Sequence, residues 1–176
     1  NAIIAWEEKH LLLIRQDALK VGTKVAAGSF KSVYRGTYQL PGAREPTDVA
    51  ILQMRAGSVG TESKMFLRLG RHPRLVRFYG QCTDGEHQML VTEFAPLGSL
   101  SDAFFAMEDA GTLDTVTMRH RVAMMQQICQ GMEKLASEGI VHCDLAARNV
   151  LLFHFDPTNP AATSVKVTDF GLSVGM

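Results

Sequence analysis

Little cysteine, no long apolar run and no excess of either charge mark this sequence. Its three cysteines, Cys82, Cys129 and Cys143, are odd in number and far apart. They form no C-x-x-C metal pair, so we expect reduced thiols in a cytoplasmic protein. Basic and acidic residues number 18 each, so a basic surface for nucleic acid is not expected. No apolar run reaches membrane-spanning length, and the first residues lack the order of a signal peptide, so no membrane contact is expected from this segment.

The apolar fraction of 46% is high enough for a core, and its pattern in the first half of the chain is that of strands. Runs rich in β-branched and aromatic residues predict strands at 19–27, 32–38, 47–54, 75–82 and 88–92. A helix is predicted at 61–69, ending at Gly70. Strands with one helix, followed by a helical region, make an α+β arrangement.

The second half begins with the connector A-P-L-G at 95–98 and continues into a long predicted helix at 115–137. Apolar residues recur there every three or four positions, and we expect this stripe to face the core. Its members are Val116, Met118, Val122, Met125, Ile128, Met132 and Leu135. Two more strands are predicted at 150–153 and 164–168. The Pro-containing turn between them, 154–162, is expected to be a tolerated surface insertion.

Two short polar motifs carry the chemistry of the chain. Residues 140–149 read I-V-H-C-D-L-A-A-R-N, and residues 169–171 read D-F-G. They offer two carboxylates, Asp144 and Asp169, and one amide, Asn149. Phosphoryl transfer needs a proton acceptor for the incoming hydroxyl and oxygen ligands for magnesium. A loop-capping role would be the simpler explanation for any one of these residues, but three in this order indicate a catalytic site.

The two motifs match H-R-D-L-x-x-x-N followed by D-F-G, so the chain resembles a eukaryotic protein kinase, nearest the tyrosine-kinase branch. The resemblance covers residues 19–176. It implies that Asp144 is the catalytic base, that Asn149 and Asp169 bind Mg²⁺, and that ATP is the phosphate donor. It also implies a two-lobe fold, with a five-stranded antiparallel sheet and one helix in the first lobe and helices in the second.

The resemblance also divides the chain. Residues 1–18 would be an N-terminal extension, 19–92 the first lobe, 93–98 the hinge and 99–176 the first part of the second lobe. The sequence stops shortly after D-F-G, so we expect this segment on its own to be inactive. Regulatory partner domains are expected outside it.

Three positions in the catalytic loop bear on the acceptor and on activation. Ser/Thr kinases usually have a lysine two residues after the base, where this chain has Ala146. Arg148 stands four residues after the base, as in the A-A-R form of tyrosine kinases, so the resemblance favours a tyrosine acceptor. Cys143 replaces the arginine that normally contacts a phosphate on the activation segment. We therefore expect activation not to depend on that phosphate.

The nucleotide site implied by the resemblance departs from the family pattern. The glycine-rich turn G-x-G-x-x-G-x-V aligns with A-A-G-S-F-K-S-V at 26–33, which keeps only the middle glycine, Gly28. Thr92 takes the gatekeeper position, and backbone groups of Glu93 and Ala95 are expected to bind adenine. The residues expected to line the adenine are Val25, Val33, Ala50 and Leu151, which would serve equally well as core.

The third-strand pattern V-A-I-K ends here in Leu52, and loss of that lysine is typical of pseudokinases. Lys31 offers a substitute, because residues i and i+2 share a face of a strand and Lys31 therefore lies on the side of Val33. The with-no-lysine kinases carry their lysine in a similar G-S-F-K run; the alternative is a solvated lysine at a turn. Glu62 is the candidate for the helix glutamate that pairs with the lysine, or else a first-turn acid favoured by the helix dipole.

Two hypotheses remain open from the sequence. The first is an active ATP-dependent protein kinase with a protein substrate, which the retained Asp144, Asn149 and Asp169 favour. The second is a pseudokinase that senses nucleotide or acts as a scaffold, which Leu52, Ala26 and Cys143 favour. The complete L-A-A-R-N signature disfavours a small-molecule kinase of the same fold.

Overall fold

Five antiparallel strands form the main sheet in the computed structural model, which describes residues 13–27, 31–54, 59–85 and 87–175. The strand order is β1-β2-β3-β5-β4. The strands are β1 Leu19–Ala27, β2 Lys31–Tyr38, β3 Thr47–Met54, β4 Phe78–Thr83 and β5 Gln88–Glu93. Helix α1, Val59–Leu69, lies between β3 and β4 in sequence. The sheet, this helix and the helices that follow confirm the predicted α+β fold class.

The fourth strand begins three residues later than the sequence predicts. Leu75 makes an isolated parallel bridge with Val167, and the Val76 N–H donates to the Val167 carbonyl at 2.9 Å. The apolar run 75–82 is continuous in sequence, but its first two residues pair outside the main sheet. Apolar periodicity cannot show where a run changes its partner.

The two faces of the sheet pack against different parts of the chain. One face forms a core cluster with residues that precede β1; its buried members are Ile14, Leu19, Tyr38, Val49, Ile51, Cys82, Met89 and Val91. On the other face the Phe66 ring of α1 stacks on the Phe78 ring at a centroid distance of 4.9 Å. Phe78 pairs with Thr92, and directly opposed residues share a face. Helix α1 therefore covers the Thr92 side of the sheet.

Two helices and two small strand pairs make up the rest. They are α2 Leu100–Asp109, α3 Met118–Ser137, β6 Ile140–Val141, β7 Val150–His154, β8 Ser164–Val167 and β9 Val174–Gly175. Strand β6 pairs with β9, and β7 pairs with β8. Helix α2 was not predicted, although Ser99 caps it by accepting the Asp102 N–H at 3.1 Å. Ser-x-x-Asp before an apolar run is the signal that was available.

The apolar stripe predicted for the long helix is wrong at Met118, Val122 and Met125, whereas Val116 and Leu135 are buried as predicted. Met118 is 71% exposed, Met125 is 64% exposed and Val122 is also exposed. The buried positions of α3 are instead His120, Met124, Gln127, Gly131 and Leu135, which also recur every three or four residues. Two of these are polar and hydrogen-bonded, and Gly131 lies close to the Arg74 carbonyl, which a Cβ atom there would meet at 2.9 Å. A pattern that counts only apolar residues does not detect a buried helix face that contains hydrogen-bonded polar residues.

The turn 154–162 is anchored to α3 rather than loose. The Nε2 atom of His120 donates to the Asp156 carbonyl at 2.9 Å, and the rings of His120 and Phe155 lie 5.0 Å apart. The Asp156 carboxylate accepts the Thr158 hydroxyl and N–H at 2.7 and 2.8 Å, and these bonds lower the pKa of Asp156. The predicted turn is thus at the surface, with most of its residues exposed, and it is also folded.

The chain divides into two compact units. The first runs to Leu67 and includes Arg77–Phe94; the second comprises Arg68–Val76 and the residues from Ala95 onward. In the part of the chain that the structure describes, none of the helices has both the length and the apolar character that a membrane span requires.

Candidate active site

The predicted base, Asp144, lies in the loop after β6, and both of its carboxylate oxygens are held. Arg148 Nη2 donates to Oδ1 at 2.5 Å, and Asn149 Nδ2 donates to Oδ2 at 2.9 Å. A single 3-10 turn, Ala147–Asn149, returns both donors toward the aspartate. The Asp144 side chain is 31% exposed. The carboxylate is thus oriented by two neighbours and still accessible, as a proton acceptor must be.

Asn149 and His142 connect this loop to the segment that carries Asp169. The Asn149 carbonyl accepts the Thr168 N–H at 3.0 Å. The Nδ1 atom of His142 accepts the Asp144 N–H at 3.3 Å, and its Nε2 atom donates to the Thr168 carbonyl at 2.9 Å. His142 was not among the predicted site residues, although its place as the histidine of the motif was the available signal. These bonds bring Asp144, Asn149 and the residue before Asp169 into one framework within the second unit.

Both motifs contain a residue in a backbone conformation that glycine usually adopts. Cys143 has φ of 64° and Asp169 has φ of 65°, and no other non-glycine residue in the described ranges has positive φ. Such conformations cost on the order of 1 kcal/mol or more and persist where the surrounding structure enforces them. Here the fully buried Phe170 follows Asp169, and its ring lies 5.7 Å from the His142 ring. Strain of this kind clusters at active sites.

The donor set near Asn149 fits a magnesium ion. The Asn149 amide nitrogen donates to the Asp144 carbonyl and carboxylate, so the amide oxygen faces the other way. An amide oxygen and the Asp169 carboxylate are the hard donors that Mg²⁺ prefers, usually in company with substrate phosphates and water. Within the described residues no group of three His, Cys, Asp or Glu side chains is placed to hold a metal by itself.

In the first unit, strand register places Lys31 and Leu52 on the same face of the sheet. Lys31 pairs with Met54, and Val33 pairs with Leu52, across β2 and β3. Directly opposed residues share a face, and residues two apart along a strand share it as well. Lys31 is therefore a diagonal neighbour of the position where the family pattern has its lysine. Leu52 itself is buried.

Lys31 forms an ion pair with Glu62, which projects from α1 on the same side of the sheet. The Lys31 Nζ atom lies 3.6 Å from Glu62 Oε1. The Glu62 side chain is only 1% exposed, and that of Lys31 is 21% exposed. A carboxylate buried to this degree needs a positive partner, unlike an ordinary solvated acid in a first helical turn. The geometry brings together the two residues whose pairing the sequence left open.

The other predicted nucleotide residues are divided between the units. In the first unit Ala50 and Thr92 are buried on the face of Lys31, whereas Val25 is half exposed at the end of β1. Glu93 ends β5, and its carboxylate accepts the Arg77 N–H at 2.7 Å. Ala95 and Leu151 belong to the second unit. Gly28 lies outside the described residues.

Comparisons with known proteins agree with the motifs. A family model described as protein tyrosine and serine/threonine kinase matches residues 19–176. The chain is similar to ephrin type-B receptor 1 of Gallus gallus, with 36% identity over 161 residues that cover 88% of this chain and 15% of the receptor. It is also similar to tyrosine-protein kinase SRK2 of Spongilla lacustris, with 31% identity over 175 residues, 97% of this chain and 43% of that protein.

A third relative has a different named specificity. Serine/threonine-protein kinase STY46 of Arabidopsis thaliana is 32% identical over 160 residues, which are 88% of this chain and 25% of that protein. The chain therefore spans less than half the length of each of these relatives.

Proposed function

Since the chain belongs to the protein tyrosine and serine/threonine kinase family, we propose that it transfers the γ-phosphate of ATP to a protein hydroxyl, with tyrosine as the acceptor. The observation that carries the proposal is the Asp144 carboxylate, held on its two oxygens by Arg148 and Asn149. A pseudokinase would have no chemical need for that arrangement.

In this mechanism Asp144 accepts the proton of the acceptor hydroxyl as the phosphoryl group is transferred. Arg148 and Asn149 orient the carboxylate, and His142 fixes the loop against Thr168. Asn149 and Asp169 would hold Mg²⁺, which when bound would neutralise charge on the ATP phosphates. The Asn149 amide oxygen and the Asp169 carboxylate are hard donors of the kind that Mg²⁺ prefers, which supports this assignment.

We further propose that Lys31 is the cation that contacts the ATP phosphates in place of a lysine at position 52. Its ion pair with Glu62 supports this role, because the family pattern pairs its lysine with a glutamate on the helix that follows β3. The register supports it too, since Lys31 shares the face of Leu52. The buried Glu62 would keep the ammonium group in a fixed position.

The proposed tyrosine acceptor rests on the catalytic loop and on the relatives. The chain has Ala146 and Arg148 where the resemblance to tyrosine kinases expects them, and Arg148 contacts the proposed base. One similar protein is named a tyrosine-protein kinase and another a serine/threonine-protein kinase. Phosphoamino-acid identification after the transfer reaction tests the tyrosine assignment.

A pseudokinase is the second candidate, and the buried Leu52 is the observation that favours it. In that case Lys31 and Glu62 would form a structural ion pair only. The two candidates differ in whether Lys31 is needed for phosphate transfer.

The test uses the full-length protein with Mg-ATP and a peptide pool that contains tyrosine, serine and threonine. Wild type is expected to phosphorylate tyrosine. Asp144→Asn is expected to lower kcat about 10²- to 10⁴-fold, because it removes the general base. Lys31→Met is expected to lower kcat/KM about 10²-fold or more, because it removes a charge that stabilises the transition state.

A lysine swap separates a catalytic Lys31 from a structural one. Lys31→Met/Leu52→Lys returns an ammonium group to the same face of the sheet and is expected to recover part of the lost activity. Leu52→Met, a matched apolar change, is expected to leave activity near wild type. If wild type is inactive but nucleotide shifts its melting temperature, the protein is a nucleotide-sensing pseudokinase. If the double variant folds as well as wild type but recovers no activity, Lys31 is not replaceable by a lysine at position 52, which would argue against its proposed role.

A further inference from the structure

Phe94, the last residue of the first unit, is held by a charged cluster on the sheet. The Cζ atom of Arg35 lies 4.9 Å from the centre of the Phe94 ring. Arg35 Nη2 in turn donates to Asp48 Oδ2 at 2.5 Å. Strand β5 ends at Glu93, so Phe94 lies just beyond the paired residues. The cation–π contact therefore holds a residue that the strand ladder does not include.

The strand register explains how Arg35 reaches this ring. Arg35 pairs with Ala50, and Ala50 pairs with Thr92, so the three residues form one row across β2, β3 and β5. Phe94 comes two residues after Thr92 and continues along the same side of the chain. The middle residue of the row has only a methyl group, which leaves space for the long Arg35 side chain to extend over β3. Asp48 lies two residues before Ala50 on that face and orients the guanidinium group.

We propose that Arg35, oriented by Asp48, is a positioning residue that aligns the hinge backbone for adenine recognition. The Glu93 carbonyl belongs to the peptide group before the Phe94 Cα atom, and the Ala95 N–H belongs to the peptide group after it. The backbone dihedrals of Phe94 therefore set the angle between these two groups. Under the proposed function, on which this inference rests, these are the acceptor and the donor for adenine. Contact with the Phe94 ring restricts those dihedrals.

The expected effect is modest and specific. Arg35 and Asp48 are about half exposed, and a cation–π contact at an exposed site corresponds to roughly a two- to fivefold change in an equilibrium constant. A misaligned hinge weakens nucleotide binding without touching the groups that move the proton or the phosphate. It also weakens the distinction between adenine and guanine, whose edges present different donors and acceptors.

Steady-state kinetics of the full-length protein, with ATP and GTP varied in turn, test this role. Arg35→Met is expected to raise KM for ATP about two- to fivefold, leave kcat unchanged and reduce the preference for ATP over GTP. Asp48→Asn is expected to act in the same direction. Arg35→Met/Phe94→Leu is expected to be no worse than Phe94→Leu alone, since both changes remove one contact. Arg15→Met breaks the exposed Arg15–Asp17 pair before β1 and should match wild type.

These readouts distinguish positioning from a general loss of folded protein, because a smaller active fraction lowers kcat and leaves KM unchanged. An unchanged KM for ATP in Arg35→Met, in a protein whose wild type phosphorylates, overturns the inference and leaves the proposed function standing. Equal rises in KM for ATP and GTP, with additive effects in the double variant, also overturn it. A wild type that binds no nucleotide overturns the proposed function, and this inference with it.

Discussion

His72 is a residue whose protonation opposes folding. Burial lowers its pKa, and the nearby charges of Lys134 and Arg74 lower it further. Its Nδ1 atom accepts the Arg74 N–H at 3.2 Å, which a protonated ring could not do. In the unfolded chain His72 regains its ordinary pKa of 6.5. As the pH falls through 6.5, the unfolded state takes up the proton first, so the free energy of unfolding decreases.

We predict that His72→Asn reduces the loss of stability at acid pH. The asparagine amide oxygen can accept the Arg74 N–H without titrating, so the bond remains while the proton uptake disappears. Denaturation of wild type and variant should be compared one pH unit above and one below 6.5, the ordinary pKa. The stability difference between the two pH values should be smaller in the variant. His87→Asn, at an exposed histidine beside Asp84, is the control; an equal reduction there would count against the prediction.

The contact between Lys31 and Glu62 could be predicted in part from the sequence. The pairing of Lys31 with Glu62 rested on two patterns, the alternation of a strand and the position of one acid in a short helix. The structure supplies the 3.6 Å contact and the burial of Glu62, neither of which the sequence contains. Arg35 carried no signal, because its contact with Phe94 depends on a row of residues from three strands.

At the scale of elements, His120 joins a helix start to a loop. Its Nδ1 atom accepts the Thr117 N–H at 3.2 Å, which completes a capping box at the start of α3. Its Nε2 atom donates to the Asp156 carbonyl at 2.9 Å, which anchors the turn 154–162. The side chain is fully buried. One residue therefore satisfies polar groups on two elements that are distant in sequence.

We predict that His120→Phe lowers the free energy of unfolding by about 1–3 kcal/mol, because Thr117 and Asp156 lose buried hydrogen-bond partners. The aromatic packing against Phe155 is retained, so the effect reports the polar contacts. Amide hydrogen exchange in 154–162 should become faster. Arg119→Met, at the exposed neighbouring position of the same helix, should change stability by less than about 0.5 kcal/mol. Unchanged exchange in 154–162 would mean that His120 does not anchor this turn.

The bounds of helices and strands could be predicted where local composition determines them. Strands β1 and β3 have the predicted bounds, and both were predicted from runs rich in β-branched residues. The buried face of α3 was mispredicted because His120 and Gln127 are polar yet satisfied by hydrogen bonds. The start of β4 was mispredicted because Leu75 and Val76 pair with Val167, more than 90 residues away in sequence. Neither the hydrogen bonds of these polar residues nor the distant pairing can be inferred from local composition.

At the scale of the whole chain, the residues proposed to bind Mg-ATP are distributed over both units. Lys31 and Thr92 belong to the first unit, and Asn149 and Asp169 belong to the second. The motifs could be recognised from sequence because each is short and local. Nucleotide binding by variants in each unit therefore tests each set of residues separately.

We predict that Mg-ATP stabilises the full-length protein against unfolding. A ligand that binds only the folded state at about 100 times its Kd raises the free energy of unfolding by about 2.7 kcal/mol, and we expect this of Mg-ATP. Lys31→Met should reduce the effect with or without magnesium. Asp169→Asn should reduce it only when magnesium is present, because Asp169 is the proposed metal ligand.

Equilibrium denaturation with ATP, with and without EDTA, separates these contributions. Asp114→Asn, at an exposed acid in the turn before α3, should behave like wild type. If Lys31→Met is stabilised as much as wild type, Lys31 does not bind phosphate and its ion pair with Glu62 is structural. If Asp169→Asn retains the full magnesium-dependent stabilisation, the metal is held elsewhere. A reduced effect in both variants is the expected result and supports both assignments.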